Sequence, residues 1–105
     1  MSDRPLIDTL AEMTAASMER ASLVDRELML VRIAALAAVG APPASYLLNL
    51  GAAAETGLTL EDVQGVLIAV APITGGPRVV AASGGIFTAL GFALDVEAEA
   101  DAGTE

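Results

Sequence analysis

The sequence predicts an all-α fold of about five helices. Three observations carry that reading. The long apolar runs are rich in Ala, Leu, Val and Ile and recur at helical spacing, as in Val63, Val66, Leu67 and Val70. They are punctuated by helix starts and stops, namely Pro5, Gly40, Pro42-Pro43, Gly57, Thr59, Gly75-Gly76 and Pro77, and not by hairpin turns. The central stretch Asp62–Ser83 writes two buried helices and the corner between them: Pro72 ends or kinks the first, the glycines reverse the chain, and Pro77 suits the first turn of the second.

Each helix has its own grounds. From Pro5 to about Ala21, Leu6, Leu10, Met13 and Ser17 share one face, with Asp8, Glu12, Glu19 and Arg20 mainly opposite, so this amphipathic helix should lie across a surface. The second runs from Asp25 to Val39, capped by Ser22 or Asp25 and stopped by Gly40. Its stripe is Leu28, Val31, Ala35 and Val39, widened by Met29, Arg32, Ile33 and Leu36. Pro42-Pro43 opens the third, with Tyr46, Leu47, Leu50 and Ala53-Ala54 inward, and Gly57-Leu58 closes it. Thr59 caps the fourth, with Glu61 and Asp62 at its positive end. The last runs from Pro77 to about Leu94, and its Gly84-Gly85 pair implies a neighbour pressed against the backbone, since each glycine weakens a helix by about 1 kcal/mol relative to Ala. Residues 1–94 form one domain; residues 95–105, alternately acidic and small, read as a disordered tail.

Composition narrows the function. The 105 residues are 54% hydrophobic but 3% aromatic, which is more apolar surface than a small monomer hides easily and points to a homo-oligomer. A net charge of −9 with five scattered arginines argues against nucleic acid and against an anionic membrane surface. Val79–Leu94 is too short for a membrane span and holds two glycines, and the N-terminus lacks a signal-peptide pattern, so the expected location is cytoplasmic. The chain has neither cysteine nor histidine, which removes thiol redox chemistry, thiolate metal sites and the commonest general base. No cofactor and no metal are expected.

Three blocks in order, Asp25-Arg26-Glu27-Leu28-Met29-Leu30-Val31, Gly57-Leu58-Thr59-Leu60-Glu61-Asp62-Val63 and Ala71-Pro72-Ile73-Thr74-Gly75-Gly76-Pro77-Arg78, resemble the carboxymuconolactone decarboxylase family, which includes the alkylhydroperoxidase D-like proteins. The resemblance covers roughly residues 20–94, and its last block is the most specific. It implies a helical bundle assembled as trimers or hexamers. It also implies that the peroxidase branch's Cys-x-x-Cys pair would fall at Ala41 and Ala44, and its histidine at Leu48 or Asn49. Peroxide reduction needs a thiolate, and none exists. The decarboxylase branch's histidine is missing too.

Four residues are candidates for a remaining site. Glu27 matches the family's second-helix acid and reads either as a buried general base or as an exposed first-turn glutamate that favours its helix dipole. Tyr46, the one tyrosine, reads as a ligand hydrogen-bonder or as a packing residue. Asn49 is a second ligand partner or a solvent-facing helix residue. Arg78 is a carboxylate binder or half of an inter-subunit ion pair. Met13, Met18 and Met29 read as core filler. The leading functional reading is a non-redox oligomer that binds a small hydrophobic or carboxylated molecule. The alternatives are a histidine-free decarboxylase, lactone-acting enzyme or isomerase with Glu27 as base, and a purely structural assembly subunit.

Overall fold

The computed structural model describes residues 4–103, with side chains as far as Leu90. Five helices follow one another: α1 (Pro5–Arg20), α2 (Asp25–Val39), α3 (Pro43–Glu55), α4 (Leu60–Thr74) and α5 (Gly76–Gly103). No strand occurs among the described residues. Helices α2 to α5 pack on one another around a core that includes Met29, Ile33, Ala37, Tyr46, Leu67 and Ile86.

Local chemistry sets most of the boundaries. Gly40 takes the left-handed conformation (φ 71°) as the C-cap of α2, and the Ala41 amide donates back to the Leu36 carbonyl. Gly57 (φ 85°) does the same after α3, where the Leu58 amide donates to the Ala53 carbonyl. Thr59 caps α4: its hydroxyl accepts from the Asp62 amide at 3.1 Å, and the Asp62 carboxylate accepts from the Thr59 amide at 2.9 Å. These hydrogen bonds, led by the Thr59 amide and joined by Arg26, hold the Asp62 carboxyl below its ordinary pKa.

Several boundaries and faces differ from the sequence reading. Neither Ser22 nor Asp25 caps α2; Val24 stands at that position and donates its amide to the Glu27 carboxylate at 3.3 Å. Helix α4 runs two residues past Pro72, because a proline so near the end interrupts only the last turn. Helix α5 continues from Leu94 to Gly103, since Ala and Glu are good helix formers and no proline or glycine interrupts Asp95–Ala102. In α2 the buried stripe is Met29, Ile33 and Ala37 with Leu28, while Val31 and Val39 are exposed. A helix apolar on every side carries no internal signal for which side faces the core. Met29 is core, but Met13 and Met18 are exposed.

The largest departure is α1. It buries none of its residues and takes no extended share in the packing of the other four helices. Arg32 ties it to the bundle, its guanidinium donating to the Ser17 hydroxyl at 2.9 Å and the Thr14 carbonyl at 3.4 Å, and Met18 borders a hollow shared with α2 and α3. Leu6, Ile7, Leu10 and Met13 face solvent. The glycine pair of α5 also divides. The Tyr46 ring presses on Gly85, whereas Gly84 has open space where a side chain would stand.

Candidate functional site

Two of the four candidate residues sit at opposite ends of α2, and the other two, Tyr46 and Asn49, lie on α3. Glu27 lies in the first turn of α2, exposed, its carboxylate engaged with the Val24 amide. Arg78 lies at the other end: its guanidinium covers Gly40, so a Cβ added there would collide with Nη1. The thirteen-residue separation along α2 is about 20 Å, so the structure does not bring Glu27 and Arg78 together. The position of Arg78, at the carbonyl end of α2, suits its charge.

Tyr46 is buried, and its hydroxyl has no hydrogen-bond partner. Burial pushes the phenol above its ordinary pKa, so at neutral pH it keeps its proton. A buried donor without an acceptor is uncommon. Asn49, one turn on, is half-buried and donates its side-chain amide to the Ser45 carbonyl at 2.8 Å, a bond within its own helix. The α2–α3 corner relates Tyr46 to Arg78. The Ala41 carbonyl approaches Gly85, which carries the Tyr46 ring, and Gly40 beside it carries Arg78.

None of the four lines any of three hollows on the described surface. One, of about 230 Å³, lies between α3 and α5 and is bounded by Pro43, Ala44, Leu47, Thr88 and Ala89, almost wholly apolar. A second, of about 300 Å³, opens between α4 and α5 over Val63, Leu67 and Ile86, with Leu60, Gln64 and Phe87 at its rim. A third, of about 220 Å³, lies under the start of α2 between Asp25, Leu28 and Glu55.

The α3–α5 hollow was not found by reading the sequence for chemistry. Methyl groups and a proline ring carry no chemical signature, and the one available signal was indirect: Ala44 is where the resemblance places the second cysteine. Tyr46 falls between Ala44 and Leu47 in sequence but belongs to the core and not to this wall. The hollow offers contact to an apolar body and the Thr88 side chain as its polar group, with that hydroxyl already donating to the Gly84 carbonyl at 3.0 Å. Among the described residues no group of carboxylates could hold a metal ion, and no helix is long and apolar enough to cross a membrane.

The sequence model of the carboxymuconolactone decarboxylase family matches residues 5–84. The match therefore takes in α1, which precedes the three blocks, and ends within α5 at Gly84. No curated protein and no solved structure matches the chain.

Proposed function

The chain belongs to the carboxymuconolactone decarboxylase family, and we propose that within it this is a non-redox homo-oligomer holding a small, largely hydrophobic molecule in the α3–α5 hollow. The observation that carries the reading is Ala44. It lines an apolar hollow of about 230 Å³ at the position where the resemblance puts a catalytic thiol. On that reading the place of the chemistry is kept, and a methyl group stands where the resemblance puts the thiol. Ligand pockets are commonly apolar with few polar anchors, although this hollow is small for one and takes a body of only several heavy atoms. A carboxylated ligand would have Arg78, which covers Gly40 at the α2–α3 corner, as a candidate counter-charge.

A base at Glu27 is less well supported. Its carboxylate is exposed and occupied at the helix start, and it borders none of the three hollows. The purely structural reading draws on the exposed apolar face of α1, and it shares the oligomer with the leading one.

Native mass spectrometry on protein purified without added ligand separates these. The proposal expects a trimer or hexamer carrying extra small-molecule mass, and expects Ala44→Trp, which fills the hollow, to lose that mass and keep the oligomer. A monomer, or measurable peroxidase turnover by the thiol-free protein, overturns it. A clean oligomer that also fails to take up small aromatic carboxylates or hydrocarbons leaves assembly as the function.

A further inference from the structure

We propose that α1 of one copy docks in the α4–α5 groove of a second copy; this rests on the homo-oligomer reading and names its contact. Helix α1 presents Leu6, Leu10 and Met13 at i, i+4 and i+7, all exposed, with Asp8, Glu12 and Glu19 mainly on the far side. That is the anchor spacing with which an amphipathic helix enters a groove. The three anchors span about 10 Å along the axis.

The same chain carries a receptor of that length. The groove of about 300 Å³ runs along α4 from Leu60 to Leu67, again about 10 Å. Its floor is Val63, Leu67 and Ile86, already in the core. Its rim is Leu60 and Phe87, continued by Ile68 and Val80 on the same helices, and these four are exposed. Charge agrees with the docking. Between Val63 and Leu94 the one charged residue is Arg78, so the groove wall offers nothing that the apolar face of α1 would have to desolvate beyond Gln64, Ser83 and the edge residue Glu61.

Area decides between a second copy and an idle surface. The three anchors and four rim residues are between 48% and 75% exposed. At about 100 Å² for each fully buried aliphatic or aromatic side chain, they supply roughly 400–500 Å² of apolar area. With the usual polar share, about two-fifths of an interface, the contact comes to about 800 Å². Ile7 and Met18, also exposed on α1, lie about 100° round the helix from these anchors and add nothing to the contact; a pair of copies that exchange α1 makes it twice, about 1,600 Å², the size of a specific interface. A helix of one chain in a groove of the next can be returned by the second chain, giving a two-fold pair that exchanges α1, or passed on head to tail, giving a ring where the rotation closes.

The absence of cysteine makes the test clean. Full-length Leu10→Cys and Phe87→Cys proteins are mixed, unfolded in urea, refolded together and oxidised, and the wild type is sized by light scattering. A cross-linked Leu10→Cys/Phe87→Cys heterodimer, with Leu10→Glu shifting the oligomer to monomer, is the expected result. An oligomeric wild type without that cross-link, or with Leu10→Cys bonded only to itself, overturns this contact and leaves the oligomer standing. A monomeric wild type overturns both. A disulfide formed within one chain of the Leu10→Cys/Phe87→Cys double variant shows α1 closing on its own groove and also overturns the proposal.

Discussion

The ring of Tyr46 occupies the space that a side chain on Gly85 would need: a Cβ there would fall 3.0 Å from Cε2 and 3.2 Å from Cδ2. Tyr46 is wholly buried and cannot step aside cheaply. Gly85→Ala should therefore destabilise the protein even though alanine is worth about 1 kcal/mol over glycine inside a helix. Gly51→Ala in α3, with open space around it, should be stabilising by up to that amount. Urea unfolding of both variants at one protein concentration reads the opposite signs.

Tyr46 yields a second prediction. Its hydroxyl is buried without a partner, so Tyr46→Phe removes an unmet donor of the kind that costs about 1–3 kcal/mol. Unfolding free energy should stay level or rise by up to that range. The pH dependence has a definite sign. The phenol's pKa is raised in the folded state, so the unfolded chain ionises first, and stability falls as pH rises from the ordinary tyrosine value, about 10, through the folded one. Tyr46→Phe should lack that alkaline loss. A drop in stability on Tyr46→Phe at neutral pH would show that the hydroxyl has a partner in solution.

Gly40 and Arg78 separate two costs. Gly40 has φ 71°, and a Cβ on it would also strike the Arg78 guanidinium. Gly40→Ala should cost about 1–3 kcal/mol from backbone strain plus the displacement of Arg78. Gly57→Ala, with φ 85° and no neighbour, shows the strain alone. In a double-mutant cycle by chemical denaturation, Arg78→Ala should recover part of the Gly40→Ala loss and none of the Gly57→Ala loss.

Asp62 predicts the acid side. Its pKa is lowered in the fold, mainly by the Thr59 amide and also by Thr59's hydroxyl and Arg26, 3.0 Å away. A depressed carboxylate stabilises above its unfolded pKa and loses that contribution as pH falls through the folded value. Stability should decline below about pH 4, and the gap between wild type and Asp62→Ala should narrow there when both are followed by circular dichroism.

What the sequence could be read for depended on whether a residue acts alone or against a partner. Gly40, Gly57 and Thr59 set their helix ends by their own conformations and hydrogen bonds, and so were legible. The family was legible from three short blocks in order, most specifically the corner Ala71–Arg78. The buried side of α2 was not, because Val31 and Val39 are as apolar as Ile33 and only the neighbouring helices select among them. The role of Gly85 depended on Tyr46, thirty-nine positions away, and Gly84 beside it carries the same letter with nothing against it. The α3–α5 hollow is a space between small side chains, and no residue pattern marks a space.

The stretch from Val63 to Leu94, with Arg78 as its one charge, has a further consequence for ionic strength. With a net charge of −9 and only Arg78 in that stretch, almost all the charge lies on the remaining segments. Copies that meet through α4 and α5 bring like-charged bodies together without forming compensating pairs across the contact. Added salt shortens the reach of that repulsion, to about 8 Å at physiological strength, and leaves apolar contact intact. The association proposed above should therefore tighten as salt rises, the reverse of an assembly held by ion pairs, and dilute buffer is where such an oligomer would come apart first.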